Sequence, residues 1–166
     1  MRKTTTPLLI AAVLLTISAT AAAAPKPPSK TTASAPHDRW RLAIQAWSFN
    51  RFTFYQAIEK TQSLGLHYIE AFPGQKLTAR GDVRFHHNMP KKLREQVKRK
   101  LKKADIKLLN YGVVGLDNNE ANARKVFDFA KDMGIQTIVS EPPSNAFDML
   151  DKLCREYEIN LAIHNH

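Results

Sequence analysis

The chain has 166 residues, a single cysteine and a formal charge of +10, with 25 Lys and Arg against 15 Asp and Glu. That length is enough for one domain, and one cysteine excludes an internal disulfide. The basic excess concentrates in residues 91–103 without interleaved aromatic residues, which argues against nucleic acid as a partner.

Residues 1–23 read as a secretory signal: Arg2 and Lys3 lead an apolar run from Leu8, and Ala21-Ala22-Ala23 offers small residues for cleavage after Ala23. The run is short beside the ~20 apolar residues of a membrane span, so no stable anchor is expected after cleavage. Export without a disulfide fits a bacterial periplasm or a secreted protein. Residues 24–38 are rich in Pro, Ser, Thr and Lys and lack large apolar side chains, the composition of a disordered linker. The folded domain is expected over 39–166.

From Leu42 onward an apolar run, a polar turn and an amphipathic helix recur. The predicted strands are 42–47, 68–71, 107–111, 137–140 and 161–163, and the predicted helices 53–64, 90–104, 118–132 and 145–157. Leu93, Val97, Leu101 and Ala104 form the apolar row of the basic helix, so its lysines are read as a solvated face. Pro90 suits a first helical turn, Asp117 with Glu120 a capping box, and Ser144 a cap for the fourth helix. Gly65 and Gly134 fall where a left-handed residue ends a helix. Cys154 lies among Leu150, Leu153 and Tyr157 at helical spacing and is read as a core residue.

Strands alternating with helices predict an α/β fold with a parallel sheet. The first strand is followed by Ser48-Phe49-Asn50-Arg51-Phe52, which lacks the glycines of a dinucleotide-binding loop. Polar or aromatic residues instead stand at every strand tip: Trp47, Glu70, Asn110, Tyr111, Glu141, His164 and His166. Functional residues converging from many strand ends fit a partial (β/α)8 TIM barrel, its first four βα units plus the fifth strand. The chain then reads as the N-terminal part of a larger domain, inactive alone.

Glu141 ends the fourth strand, and Pro142-Pro143 stop that strand from continuing. His164 and His166 are two apart and point to one side of the fifth. Two imidazoles beside a carboxylate supply three donors for a divalent cation. Glu70 is a candidate general base or acceptor for a substrate hydroxyl. Trp47, Phe49, Phe52 and Tyr111 are candidates for an apolar wall against a sugar ring. His86-His87, in the long 72–89 loop, are assigned a surface or lid role.

Four segments resemble the sugar phosphate isomerase/epimerase group with its xylose isomerase-like TIM barrel, in its exported bacterial branch. They are Leu42-Ala-Ile-Gln-Ala-Trp-Ser-Phe, Leu64-Gly-Leu-His-Tyr-Ile-Glu-Ala-Phe-Pro-Gly, Ile138-Val-Ser-Glu-Pro and Leu161-Ala-Ile-His-Asn-His. The resemblance implies a divalent metal cation (Zn, Mn or Mg) and proton transfer beside a sugar carbonyl. On this chain it places Glu141 and His166 as metal ligands, Glu70 and His164 as catalytic residues, and Trp47 and Tyr111 against the substrate. His164 stands where many relatives carry a metal-binding Glu. A non-catalytic carbohydrate-binding half-barrel, a related lyase or hydratase, and an endonuclease remain as alternatives, and a homo-oligomer is compatible with each.

Overall fold

The computed structural model describes residues 40–166. The segments read as a signal (1–23) and a linker (24–38) lie outside the described residues. Five strands, β1 (Ala43–Gln45), β2 (Tyr68–Ala71), β3 (Lys107–Tyr111), β4 (Thr137–Ser140) and β5 (Asn160–Ile163), form one sheet in the order of the sequence. Every neighbouring pair is parallel. The helices between them are α1 (Phe54–Ser63), α2 (Lys91–Lys103), α3 (Glu120–Met133) and α4 (Phe147–Tyr157). A parallel sheet that adds each strand beside the previous one is the winding of a barrel wall; a doubly wound sheet reverses direction partway.

Alternation along the strands divides the sheet into two faces. Ile69, Ala71, Leu108, Tyr111 and Ile138 are buried in one core with Ile58, Val97, Val126, Phe127, Ala130 and Leu150 of the helices. The opposite face carries Gln45, Glu70, Asn110 and Thr137, which register lines up across four strands. Leu109 has no partner in β2, because the β2–β3 register slips between Ile69 and Glu70. This one-residue bulge sets Asn110 beside Glu70 and turns the next side chain, Tyr111, into the core.

The four helix-to-strand junctions share one construction. Gly65, Asp105, Gly134 and Glu158 all take positive φ, between 55° and 72°. The following residues, Leu66, Ile106, Ile135 and Ile159, donate their backbone N–H to Thr61, Leu101, Ala130 and Cys154, five positions back. This is the Schellman closure, in which a left-handed residue lets the chain reverse and an apolar residue folds back onto the helix. Glycine adopts that backbone freely, whereas Glu158 adopts it at a cost of about 1–2 kcal/mol. Glu158→Gly is therefore expected to stabilise the fold by about 0.5–1 kcal/mol, read as a rise in the urea midpoint at constant slope. A lower midpoint would refute the strain at this junction.

Several local expectations are corrected. β1 is shorter than 42–47 because Ala46–Phe49 winds into a 3-10 turn, closed by Asn50 N–H on the Trp47 carbonyl at 3.0 Å. Asp117 and Glu120 form no capping box; Asn119 caps α3 by accepting from Asn122 N–H at 3.1 Å, and Glu120 pairs with Arg124 one turn on. Ser144 begins a 3-10 turn (Ser144–Ala146), so α4 starts at Phe147 without a side-chain cap. Pro90 is the residue before α2, with its carbonyl accepting from Leu93 and Arg94. The capping box that does form is Thr53 with Gln56 on α1, each side chain bonded to the other's backbone N–H.

The 72–89 loop folds back on itself through Gly74–Phe85, Gln75–Phe85 and Leu77–Val83 backbone bonds. Phe85 is fully buried against Phe54, Tyr111 and Phe129, with ring centroids 4.4–5.9 Å apart. The loop is therefore anchored to the core through Leu77, Phe85 and Met89, while residues 79–84 stay exposed. No helix of the described residues is long and apolar enough to cross a membrane.

Candidate metal centre

Glu141 is the first residue beyond β4, and Pro142-Pro143 direct the chain away from the sheet. The β4–β5 ladder runs one residue past Ile163, since His164 N–H donates to the Ser140 carbonyl at 3.0 Å. That bond places His164 beside Glu141, and the alternation of an extended chain brings His166 to the same side. The Nε2 atom of His166 lies 2.9 Å from Glu141 Oε1, and that of His164 lies 3.8 Å from it. The two imidazoles meet edge to face at 5.1 Å.

One donor atom from each of the three side chains falls within 4.8 Å of the others. Bonds of about 2.0–2.2 Å to a shared tetrahedral ion would put donors roughly 3–3.5 Å apart, so small side-chain rotations suffice. Two nitrogens and one oxygen suit Zn or Mn better than Mg, which prefers oxygen alone. The residues alone offered all three side chains as donors, and the family resemblance assigned His164 to catalysis and Glu141 and His166 to metal; the geometry groups all three. The exposed Glu141–His166 pair by itself contributes little to stability.

Beside this cluster lies a cavity of about 400 Å³ at the carboxyl ends of the strands, lined by Gln45, Trp47, Phe72, Pro73, His164 and His166 among others. Trp47 meets Phe72 edge to face at 4.9 Å and is more than half exposed, leaving a ring face available to a ligand. Trp47 gains this position from the 3-10 turn, which lifts it off the end of β1.

Glu70 occupies the polar face of the sheet. Its carboxylate accepts from Gln45 Nε2 at 2.9 Å and from Asn110 Nδ2 at 3.1 Å, a row spanning β1, β2 and β3. Glu70 is not among the residues lining the cavity, whereas Gln45 is. The carboxylate thus holds an amide that reaches the cavity; neither Gln45 nor the Asn110 bond was singled out from sequence, because cross-strand register is invisible in one strand's pattern.

Tyr111 is a correction. It is fully buried, stacked with Phe85 and Phe129, and its hydroxyl lies 3.3 Å from His87 Nδ1. Burial holds its phenol well above the usual range. It packs the core and does not line the mouth, since the β3 bulge leaves Asn110 and not Tyr111 on the open face. Phe49 packs against the core and Phe52 sits under the Lys60 ammonium at 4.1 Å, so neither lines the cavity.

His87 is half-buried and stacked on His86 at 3.9 Å. Burial, then the neighbouring His86 and Lys125, push its pKa down to about 4 from 6.5. A neutral ring is favoured in the folded state, so this contribution is complete above pH 6.5 and drains away as pH falls toward 4. The expected loss is about 1–2 kcal/mol, less than full linkage because the ring is partly solvated. Thermal melts between pH 7 and 4 should show this slope in the parent chain and a flatter one in His87→Gln. Equal slopes would remove His87 from the acid response.

No family model matches the chain, and no curated protein matches it. Solved structures do. An uncharacterized protein from Parabacteroides distasonis is 30% identical with a TM-score of 0.71, covering 76% of this chain and 53% of that one. A sugar phosphate isomerase/epimerase from the same organism is 13% identical with a TM-score of 0.56, over 82% of this chain and 53% of the other. A xylose isomerase-like TIM barrel/4-hydroxyphenylpyruvate dioxygenase fusion protein is 13% identical with a TM-score of 0.55, over 74% and 21%. Two of these neighbours are named as a sugar phosphate isomerase/epimerase and a xylose isomerase-like TIM barrel fusion, and the fold of this chain is a partial TIM barrel. The chain spans about half the length of the first two.

Proposed function

We propose that residues 40–166 form the first half of the barrel of an exported, periplasmic enzyme that isomerises or epimerises a sugar with the help of a divalent metal. The observation that carries this reading is the meeting of Glu141, His164 and His166 beside an aromatic-walled cavity at the carboxyl ends of the strands. The three side chains would hold Zn or Mn. The ion would supply polarisation of a sugar carbonyl or hydroxyl oxygen. Trp47 and Phe72 offer an apolar wall for the sugar's C–H face, and Gln45, oriented by Glu70, keeps its carbonyl oxygen and one N–H for sugar hydroxyls. Glu70, already bonded twice, serves as a positioning residue in this reading, and an imidazole of the cluster left off the metal could move a proton.

The test is turnover of unmodified and phosphorylated aldoses and ketoses by the metal-loaded full-length barrel of which residues 40–166 would be the first half, followed by proton NMR in deuterated water. Isomerisation or epimerisation through proton transfer exchanges the hydrogen beside the carbonyl with solvent. Trp47→Ala is expected to raise KM more than it lowers kcat, because it removes binding surface common to ground and transition states. Sugars that bind without exchange in a full-length barrel that carries metal would overturn the enzyme reading in favour of a carbohydrate-binding module.

A further inference from the structure

At the opposite end of the strands, where β2 and β3 begin and α2 and α3 end, lies a second cavity of about 380 Å³. Its rim carries Arg41, Lys98, Lys102 and Lys107 against one carboxylate, Asp105. Lys98 is committed to Asp132 and Glu95, each at 2.8 Å. Arg41, Lys102 and Lys107 have no carboxylate partner among the described residues. Arg41 is nevertheless held: its Nη1 donates to Gln136 Oε1 at 2.8 Å, and its guanidinium sits 5.9 Å from the Tyr68 ring centroid. Asp105 faces His67 at 3.3 Å. Among the described residues, these three cations and one carboxylate leave an excess of two positive charges around a floor that includes Leu101, Ile106 and Met133.

Lysines in the last turn of α2 are ordinary complements to the helix dipole, which accounts for Lys102 alone. Arg41 precedes β1 and Lys107 opens β3, so two of the three cations come from elements with no such requirement. An excess of two charges matches a phosphomonoester, which carries about −1.5 to −2 at neutral pH. A guanidinium already oriented by an amide suits phosphate oxygens, and the part-apolar floor suits a carbon skeleton behind them. We infer that this basal cavity binds a small phosphomonoester, at a site separate from the Glu141 cluster and independent of its chemistry.

The test is calorimetric titration of the full, metal-free chain with inorganic phosphate and with glucose 6-phosphate, each compared with chloride at matched ionic strength. Saturable one-site binding is expected for both phosphates, tighter for the sugar phosphate. Lys102→Glu/Lys107→Glu should weaken it at least about tenfold, the scale of 1.4 kcal/mol, and Lys102→Gln/Lys107→Gln by less. Arg41→Gln should weaken it as well, and Glu141→Ala should leave it unchanged. Circular dichroism of each variant checks that exposed-residue substitutions have kept the fold. Heat that follows ionic strength alone, affinity unchanged in both lysine pairs, or binding only to phosphatidic acid vesicles would each overturn the inference.

Discussion

Glu141→Ala is expected to lower Zn affinity by about 100-fold or more, because it removes the one anionic donor and leaves two imidazoles. His166→Ala and His164→Ala should each fall in the same direction. All three side chains are at least partly exposed, and the pairs among them add little to folding, so the variants should unfold at the parent urea midpoint. Competition titrations against a chromogenic chelator read the affinity directly. Parent affinity should also weaken in acid, since an imidazole must lose its proton to bind. A chain whose Zn affinity is indifferent to Glu141 would remove the metal centre and with it the enzyme reading above, while leaving the basal cavity untouched.

The second large effect is expected at Gly112, just past β3. A Cβ built there would strike the carbonyl oxygen, carbonyl carbon and Cβ of Val139 in β4. None of these atoms belongs to the far end of a flexible side chain, so the clash can be relieved only by moving one strand away from the other. β3 and β4 share a register of just two residue pairs, Asn110–Thr137 and Tyr111–Ile138, with the Val114–Val139 backbone bond beyond. Gly112→Ala should therefore cost about 3 kcal/mol or more, a large fraction of a domain's typical margin. Gly115→Ala, three residues on with open space around it, is the control and should unfold near the parent midpoint. Equal midpoints for the two variants would show that β3 and β4 are not held this closely. Because β4 delivers Glu141, Gly112→Ala should also weaken metal binding.

Much of the architecture was legible in the chain. Five apolar runs, four amphipathic helices and four repeated junctions are local patterns, each confined to a few neighbouring residues, and a βα alternation follows from them. The junctions Leu64-Gly-Leu and Met133-Gly-Ile announce their left-handed residue openly. Asp105 and Glu158 take the same backbone without the glycine that signals it, and only the repetition of the pattern betrays them. The meeting of Glu141 with His164 and His166 was also readable, because all three sit at the ends of strands adjacent in sequence and hence in a parallel sheet.

What sequence determined, then, was the order and kind of the elements and the strand ends where polar chemistry gathers. Tertiary structure decided which face each side chain occupies. A single unpaired residue, Leu109, shifts β3 by one position; it sends Tyr111 into the core and leaves Asn110 to hold Glu70. A 3-10 turn closes β1 early and brings Trp47 to the cavity, while the 72–89 loop buries Phe85 beneath it all. Side-chain direction along a strand has a period of two, so one inserted residue reverses it, and the pairing that tolerates such an insertion belongs to the neighbouring strand.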